Sequence, residues 1–278
     1  MSKKQTPEEI FYENLTLGLV NTLSNVPRIS NVCCEHRAPC EKPHIQNWEQ
    51  RHCVYLPEDM KKFYLSTDGF LLQWSYQYSP TDMRKVGIIY FPYLAEISLL
   101  RDNIEQSPNM SSSESSITQP TQSNPVKDRW GNPTPVMSSK SKVFELKSVN
   151  ETAKVCLVYE STGTNNPKFY LLENFTSKWQ FLADTFSEFL RMSIAHIGLP
   201  YWELCFSSFG LPTWAEQLFL LLAPHLLEEH EQRRTKIVQQ VAEHPYNLID
   251  PNIFRSKPKL LGRSNAATKH SSSNVLKR

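Results

Sequence analysis

The sequence predicts an α+β fold, and three observations carry that reading. Residues rich in β-formers gather in two blocks, 70–91 and 143–173. Amphipathic stretches with helix-start signals precede, separate and follow those blocks. Between the first helices and the first strand lies a Leu-Pro step at 56–57 followed by Asp68-Gly69, a start signal and a stop signal for one short helix.

Taken in order, residues 6–26 predict one helix. Thr6-Pro7-Glu8-Glu9 is a capping box with proline at the first helical position. Phe11, Leu15, Leu19, Leu23 and Val26 recur at three and four, with Ile10, Leu17 and Val20 widening the stripe. Residues 31–53 hold Cys33, Cys34, His36, Cys40, His44, His52 and Cys53, and read as a loop running into a short helix at Trp48. Cys34, His36, Cys40 and His44 supply the sulfur and nitrogen donors that tetrahedral zinc takes. Their spacing matches no standard zinc module, so reduced cysteines and packed histidines are the alternative.

After Leu56-Pro57, Glu58 and Asp59 face the positive end of a helix dipole, and Lys61 and Lys62 follow. Met60, Phe63 and Tyr64 form one apolar stripe. Gly69 is free to take φ > 0 and ends the helix. Strands are expected at 70–76 and 86–91 around a Ser79-Pro80-Thr81-Asp82 turn, with 94–100 either an edge strand or a helical turn.

Residues 103–141 are rich in serine and proline and nearly free of bulky apolar groups, which predicts a long disordered insertion. Within it Trp130-Gly131-Asn132-Pro133 is a turn bearing a large aromatic, a candidate docking point. Strands return at 143–146, 155–160 and 168–173, the last two so uniformly apolar that both faces should be covered. The covering helix is placed within 176–199, starting at the Thr185-Phe186-Ser187-Glu188 capping box. A helical extension follows over 201–254. It opens on a third capping box, Thr213-Trp214-Ala215-Glu216, with Trp214, Leu218, Leu221, Leu222 and Leu226 as its stripe. Pro224 should break it. Beyond, the helix turns polar and carries Arg233 and Arg234. Residues 255–278 hold Arg255, Lys257, Lys259, Arg263, Lys269, Lys277 and Arg278, with no Asp or Glu after Asp250, and predict a disordered basic tail.

The totals exclude several classes. Net charge is only +2 over 278 residues, so there is no global electrostatic case for nucleic acid. Eight glycines disfavour glycine-rich phosphate loops. The longest apolar run, 218–223, is far short of a membrane span, and MSKKQTPEEIF has no signal-like apolar region. A cytoplasmic chain with reduced cysteines is the expectation. No catalytic motif is found, so neither a catalytic residue nor a cofactor is expected. Cys53 lies beside His52 and near Glu49, but chain neighbours seldom meet as nucleophile and base.

The run LPEDMKKFYLSTDGF, together with WQFLADTFSEFLRM further on, resembles the SUKH superfamily. The resemblance implies a mixed or antiparallel sheet flanked by helices over 45–200. Residues 1–44 then form an N-terminal helix and Cys/His-rich loop, and 201–254 an extension. Over roughly residues 5–250 the chain is further similar to the branch of that superfamily found as subunits of tubulin-polyglutamylating complexes. This implies a non-catalytic scaffold whose partners are sister subunits, a separate tubulin-tyrosine-ligase-like chain using ATP and glutamate, and tubulin or microtubules. It also implies a place in the cytoplasm at microtubules, centrosome and ciliary basal body. Trp130, Arg233, Arg234, Lys257, Lys259 and Arg263 are the candidate partner contacts. A stand-alone SUKH-type binding module and a zinc-stabilised domain are the alternatives.

Overall fold

A computed structural model describes residues 6–100 and 127–228, apart from 129, 139 and 161–165. Its strands are all antiparallel and form two sheets where the sequence suggested one. The first sheet has the order β1-β2-β3: β1 is Ile29–Glu35, β2 Phe70–Ser79 and β3 Asp82–Phe91. The second has the order β4-β5-β6-β7-β8: β4 is Ser98–Leu99, β5 Lys142–Val149, β6 Ala153–Tyr159, β7 Lys168–Glu173 and β8 Trp179–Ala183. The helices are α1 (Pro7–Leu15), α2 (Leu19–Ser24), α3 (Lys42–His52), α4 (Glu58–Ser66), α5 (Phe186–Ala195) and α6 (Thr213–Leu222).

The N-terminal helix is two helices. Thr6 and Glu9 form the expected capping box. After α1, however, Leu17 and Gly18 take φ of 54° and 74°, and the Gly18 N–H donates to Glu13 O at 2.9 Å. That left-handed step ends one helix and starts the next, so Tyr12, Leu19 and Leu23 are buried while Ile10 and Leu17 face solvent.

The expected loop at 31–53 begins inside β1, a partly buried edge strand kinked near Asn31, where φ is 53°. Pro57 caps α4 and precedes its first residue, one position earlier than expected. Gly69 has φ 82°, and a Cβ there would lie 2.5 Å from Arg37 Nη1 and 2.7 Å from Pro92 O, so glycine is required twice over. The 94–100 segment is both of its alternatives in turn, a short 3-10 turn at Leu94–Glu96 and then edge strand β4.

Residues 179–183, expected to lead into a helix, are instead β8, paired with β7. The helix proper starts where Thr185 Oγ1 accepts the Glu188 N–H at 3.2 Å. Glu188 closes onto the Asp184 N–H, not onto Thr185. Thr213 caps nothing. Pro212 is the cap of α6 without a side-chain bond, and Trp214 and Leu221 are about half exposed while Leu218, Phe219 and Leu226 are buried. The helix does stop before Pro224.

Part of the expected disordered insertion is packed. Asp128 Oδ1 accepts the N–H groups of Trp130 and Asn132, Asp128 Oδ2 accepts the Phe181 N–H on β8, and Trp130 Nε1 donates to Phe206 O at 3.0 Å. Short polar residues here make a turn that side-chain hydrogen bonds hold against a sheet edge, which composition does not register. The remainder of that insertion, 103–126, lies outside the described residues, as do the polar helix and the basic tail.

One aromatic junction joins helices and both sheets. Phe63 of α4, Phe91 of β3, Phe169 of β7, and Phe186 and Phe189 of α5 lie 4.8–6.2 Å apart between ring centroids. Next to it, Trp74 is fully buried and its Nε1 donates to Ile197 O at 2.9 Å, while the Ile88 N–H donates to Gly198 O at 2.8 Å. A Cβ at Gly87 would fall 1.8 Å from Trp74 Nε1. Gly87→Ala should therefore destabilise the protein by about 2 kcal/mol or more through overpacking. Leu56→Asp or Phe63→Asp, which bury a charge, should cost about 3 kcal/mol or more. Thermal unfolding followed by circular dichroism reads these losses, and an undiminished transition in any of the three contradicts this core.

Candidate functional site

A surface groove of about 920 Å³ lies at the Leu-Pro corner, lined by Tyr55 to Asp59, Lys61, Asn166 to Lys168, Asp184, Thr185 and Ser187. The corner is built by hydrogen bonds that end and start helices. Glu49 Oε1 on α3 accepts the Leu56 N–H at 3.0 Å and pairs with Lys61 Nζ at 3.0 Å. Asp59 Oδ2 accepts both the N–H and the hydroxyl of Ser187, so α4 caps the first turn of α5 across 128 residues of sequence. Lys168 pairs with Asp184 at 2.7 Å on the far wall. Tyr55 is two-thirds exposed at the rim, its carbonyl held by the Tyr159 hydroxyl at 2.9 Å. Lys61 and Lys168 are each paired with a carboxylate on their own wall, Asp59 is taken up by Ser187, and none of these charges converges as an acid–base pair on a reacting atom.

The four zinc candidates are not brought together. Cys34 lies on β1, its thiol pushed up to about 11 by burial and by the neighbouring Cys33 and Glu35 charges. His36 stacks on Tyr12 at 4.5 Å and pairs with Glu8. Cys40 is buried at the entry to α3, and its thiol too is raised by burial and by Asp68 and Glu41. His44 is exposed on the first turn of α3. Among the described residues no cluster of three or more His, Cys, Asp or Glu groups suits a metal ion. The Cys53 neighbourhood disperses as well. Cys53 donates to Gln50 O, and His52 packs on Trp48 and Phe144 with its pKa lowered by burial and by Arg51 and Lys142. Glu49 is engaged at Leu56 and Lys61.

Of the partner-contact candidates, Trp130 is used internally, against Phe206. Arg233, Arg234, Lys257, Lys259 and Arg263 lie outside the described residues. Sequence reasoning missed the buried polar groups that tie the 201–226 segment to the second sheet. Lys147 Nζ meets Glu203 Oε1 at 2.7 Å, with Glu203 1% exposed. Glu173, fully buried at the end of β7, accepts from the Ser208 N–H, the Ser208 and Thr176 hydroxyls, and Gln180 Nε2. Burial by itself pushes the Glu173 carboxyl up, but those four hydrogen bonds outweigh it and hold the group below the ordinary carboxylate value. No sequence signal marks these residues, because Ser208 lies 35 residues from Glu173 and Lys147 56 residues from Glu203.

A family model described as SMI1 / KNR4 family (SUKH-1) matches residues 39–192, more than half of the chain. The chain belongs to the SMI1/KNR4 family. In this SMI1/KNR4 chain the match opens just before α3 and closes within α5, so it takes in the Leu-Pro corner, both sheets from β2 onward and the aromatic junction. The chain is also similar to proteins named tubulin polyglutamylase complex subunit 2. It is 30% identical to the human protein over 257 residues, covering 90% of this chain and 81% of the relative. To the mouse protein it is 29% identical over 258 residues, covering 90% and 82%. No solved structure matches it significantly. No described helix is long and apolar enough to cross a membrane.

The Glu173 network sets a pH dependence. A carboxyl whose folded pKa is depressed contributes stability that is present above its unfolded value and lost as pH falls through the folded one. Acid unfolding of the wild type should accelerate as pH drops below the ordinary glutamate value of 4.5. Glu173→Gln should lower stability at neutral pH and flatten that acid slope. Urea midpoints between about pH 3 and 7 read both, and parallel curves for the two proteins would remove Glu173 from this role.

Proposed function

We propose that this chain is a non-catalytic scaffold subunit of a tubulin polyglutamylase complex. In this reading it holds sister subunits and a separate tubulin-tyrosine-ligase-like chain, which uses ATP to add glutamate side chains to tubulin. The observation that carries it is the extent of the similarity. The alignment to the human relative spans 90% of the chain, well beyond the 39–192 core, and so includes segments that a bare SMI1/KNR4 domain lacks. The relatives are named as subunits of a complex. Lys61 and Lys168 of the corner groove are each paired with a carboxylate, an arrangement suited to holding shape. The basic segment with Lys257, Lys259 and Arg263 is a proposed contact to an acidic partner such as a tubulin tail, through screened Coulomb attraction. Microtubules, centrosome and the base of the cilium are the proposed places of action.

Affinity purification of the tagged full chain from cells, followed by identification of bound chains, tests this. A tubulin-tyrosine-ligase-like chain recovered in stoichiometric amount is the expected result. Recovery of the chain alone, or glutamate addition by the purified chain unaided, overturns it. Removing 255–278 should leave the melting transition unchanged and reduce microtubule co-sedimentation at low salt.

A further inference from the structure

Helix α6 is fixed on one side and open on another. Leu218 and Phe219 are buried in the main core, and Ala215 is fully covered. Only Thr213, Glu216 and Gln217 of its ten residues are polar, so apolar side chains are left over for the outer side. Trp214, Gln217 and Leu221 recur at i, i+3 and i+7 and share one face. Leu220 flanks that face, one turn after Glu216. Trp214, Leu220 and Leu221 are each a little over half exposed. The Tyr201 ring meets Trp214 edge-on at 5.5 Å and steadies it. Together the three leave on the order of 350 Å² of apolar surface in water. A contiguous apolar patch of that size marks a contact site.

Similarity, area and charge each bear on what covers this face. The SMI1/KNR4 match ends at residue 192, before α6 begins. The alignment to the human relative leaves about 28 of 278 residues uncovered, and α6 ends 56 residues before Arg278, so a single aligned stretch contains it. The face is thus outside the family domain yet within the similarity to proteins named as complex subunits. Its area is under half of the about 800 Å² per partner that a stable interface buries, so two copies of α6 facing each other fall short. Glu216 is the only charge on the helix and has no ion-pair partner among the described residues. A helix that lies on an anionic membrane carries Lys and Arg along its polar face, and α6 has neither.

We propose that α6 docks an amphipathic helix of a sister subunit. The leucine-type stripe of that helix packs around Trp214 and Leu221, and a Lys or Arg at its border meets Glu216. This rests on the scaffold reading for the existence of sister subunits.

The tagged full chain is expressed in cells, and the sister subunits recovered with it are quantified. Leu221→Asp and Glu216→Lys should each lower that recovery about tenfold. Leu17→Asp, at an equally exposed apolar site on the α1–α2 joint, should leave it unchanged. Variants are compared only where the melting transition matches the wild type. A photo-cross-linking residue in place of Gln217 tests the same face without disturbing an apolar contact. Its cross-link should map to a sister-subunit helix with apolar residues at three- and four-residue spacing and a flanking cation. Undiminished recovery in both α6 variants, equal loss in Leu17→Asp, or a cross-link confined to this chain, to a second copy or to lipid overturns the proposal. An intact complex with both α6 variants sinks this inference and leaves the scaffold reading standing, whereas a wild type that recovers no sister subunit sinks both.

Discussion

The contact among Phe63, Phe91, Phe169, Phe186 and Phe189 is what the rest of the structure depends on. Four separate elements give one or two rings each, and none buries its ring alone. Each such side chain contributes about 2 kcal/mol on burial, so the junction is a large part of the margin that keeps a domain folded. Its geometry also fixes the two sheets relative to α5. The Trp74 indole then locks that arrangement, because Ile197 and Gly198 end α5 with φ of 49° and 67° and offer their carbonyls to Trp74 and Ile88. The backbone strain there is tolerated only because tertiary bonds determine it.

From that constraint follows the character of the surface. Several polar groups that enter the interior are tied to distinct partners: Glu173 to Ser208, Thr176 and Gln180, Glu203 to Lys147, Tyr64 to Pro92 O. These ties position backbone and anchor the C-terminal segment to the sheet. Burial also raises the thiols of Cys34, Cys40 and Cys156, which keeps them protonated.

Much of this was legible in the chain. The Thr6 and Thr185 caps, the stripe Met60-Phe63-Tyr64, the Gly69 stop, the Ser79–Asp82 turn and the break at Pro224 are local, and local chemistry announced them. What failed was of another kind. β1 and β8 are short strands with mixed polarity, given strand form by pairing with β2 and β7. The 128–132 turn looks like disordered chain until Phe181 and Phe206 supply partners. The Cys/His cluster is close in sequence yet spread over a strand, a loop and a helix, so proximity in the chain did not become proximity in space.

The sequence by itself determined which segments become helix or strand wherever capping, periodicity and glycine placement agree. Those signals act within a few residues and owe nothing to distant contacts. Only the tertiary structure decided the split into two sheets, the bonds of Glu173 to Ser208 and of Glu203 to Lys147, and the use of Asp59 to cap a helix 128 residues away. Each of these joins residues far apart in the chain. Packing and strand register select such pairs, and no local pattern encodes them.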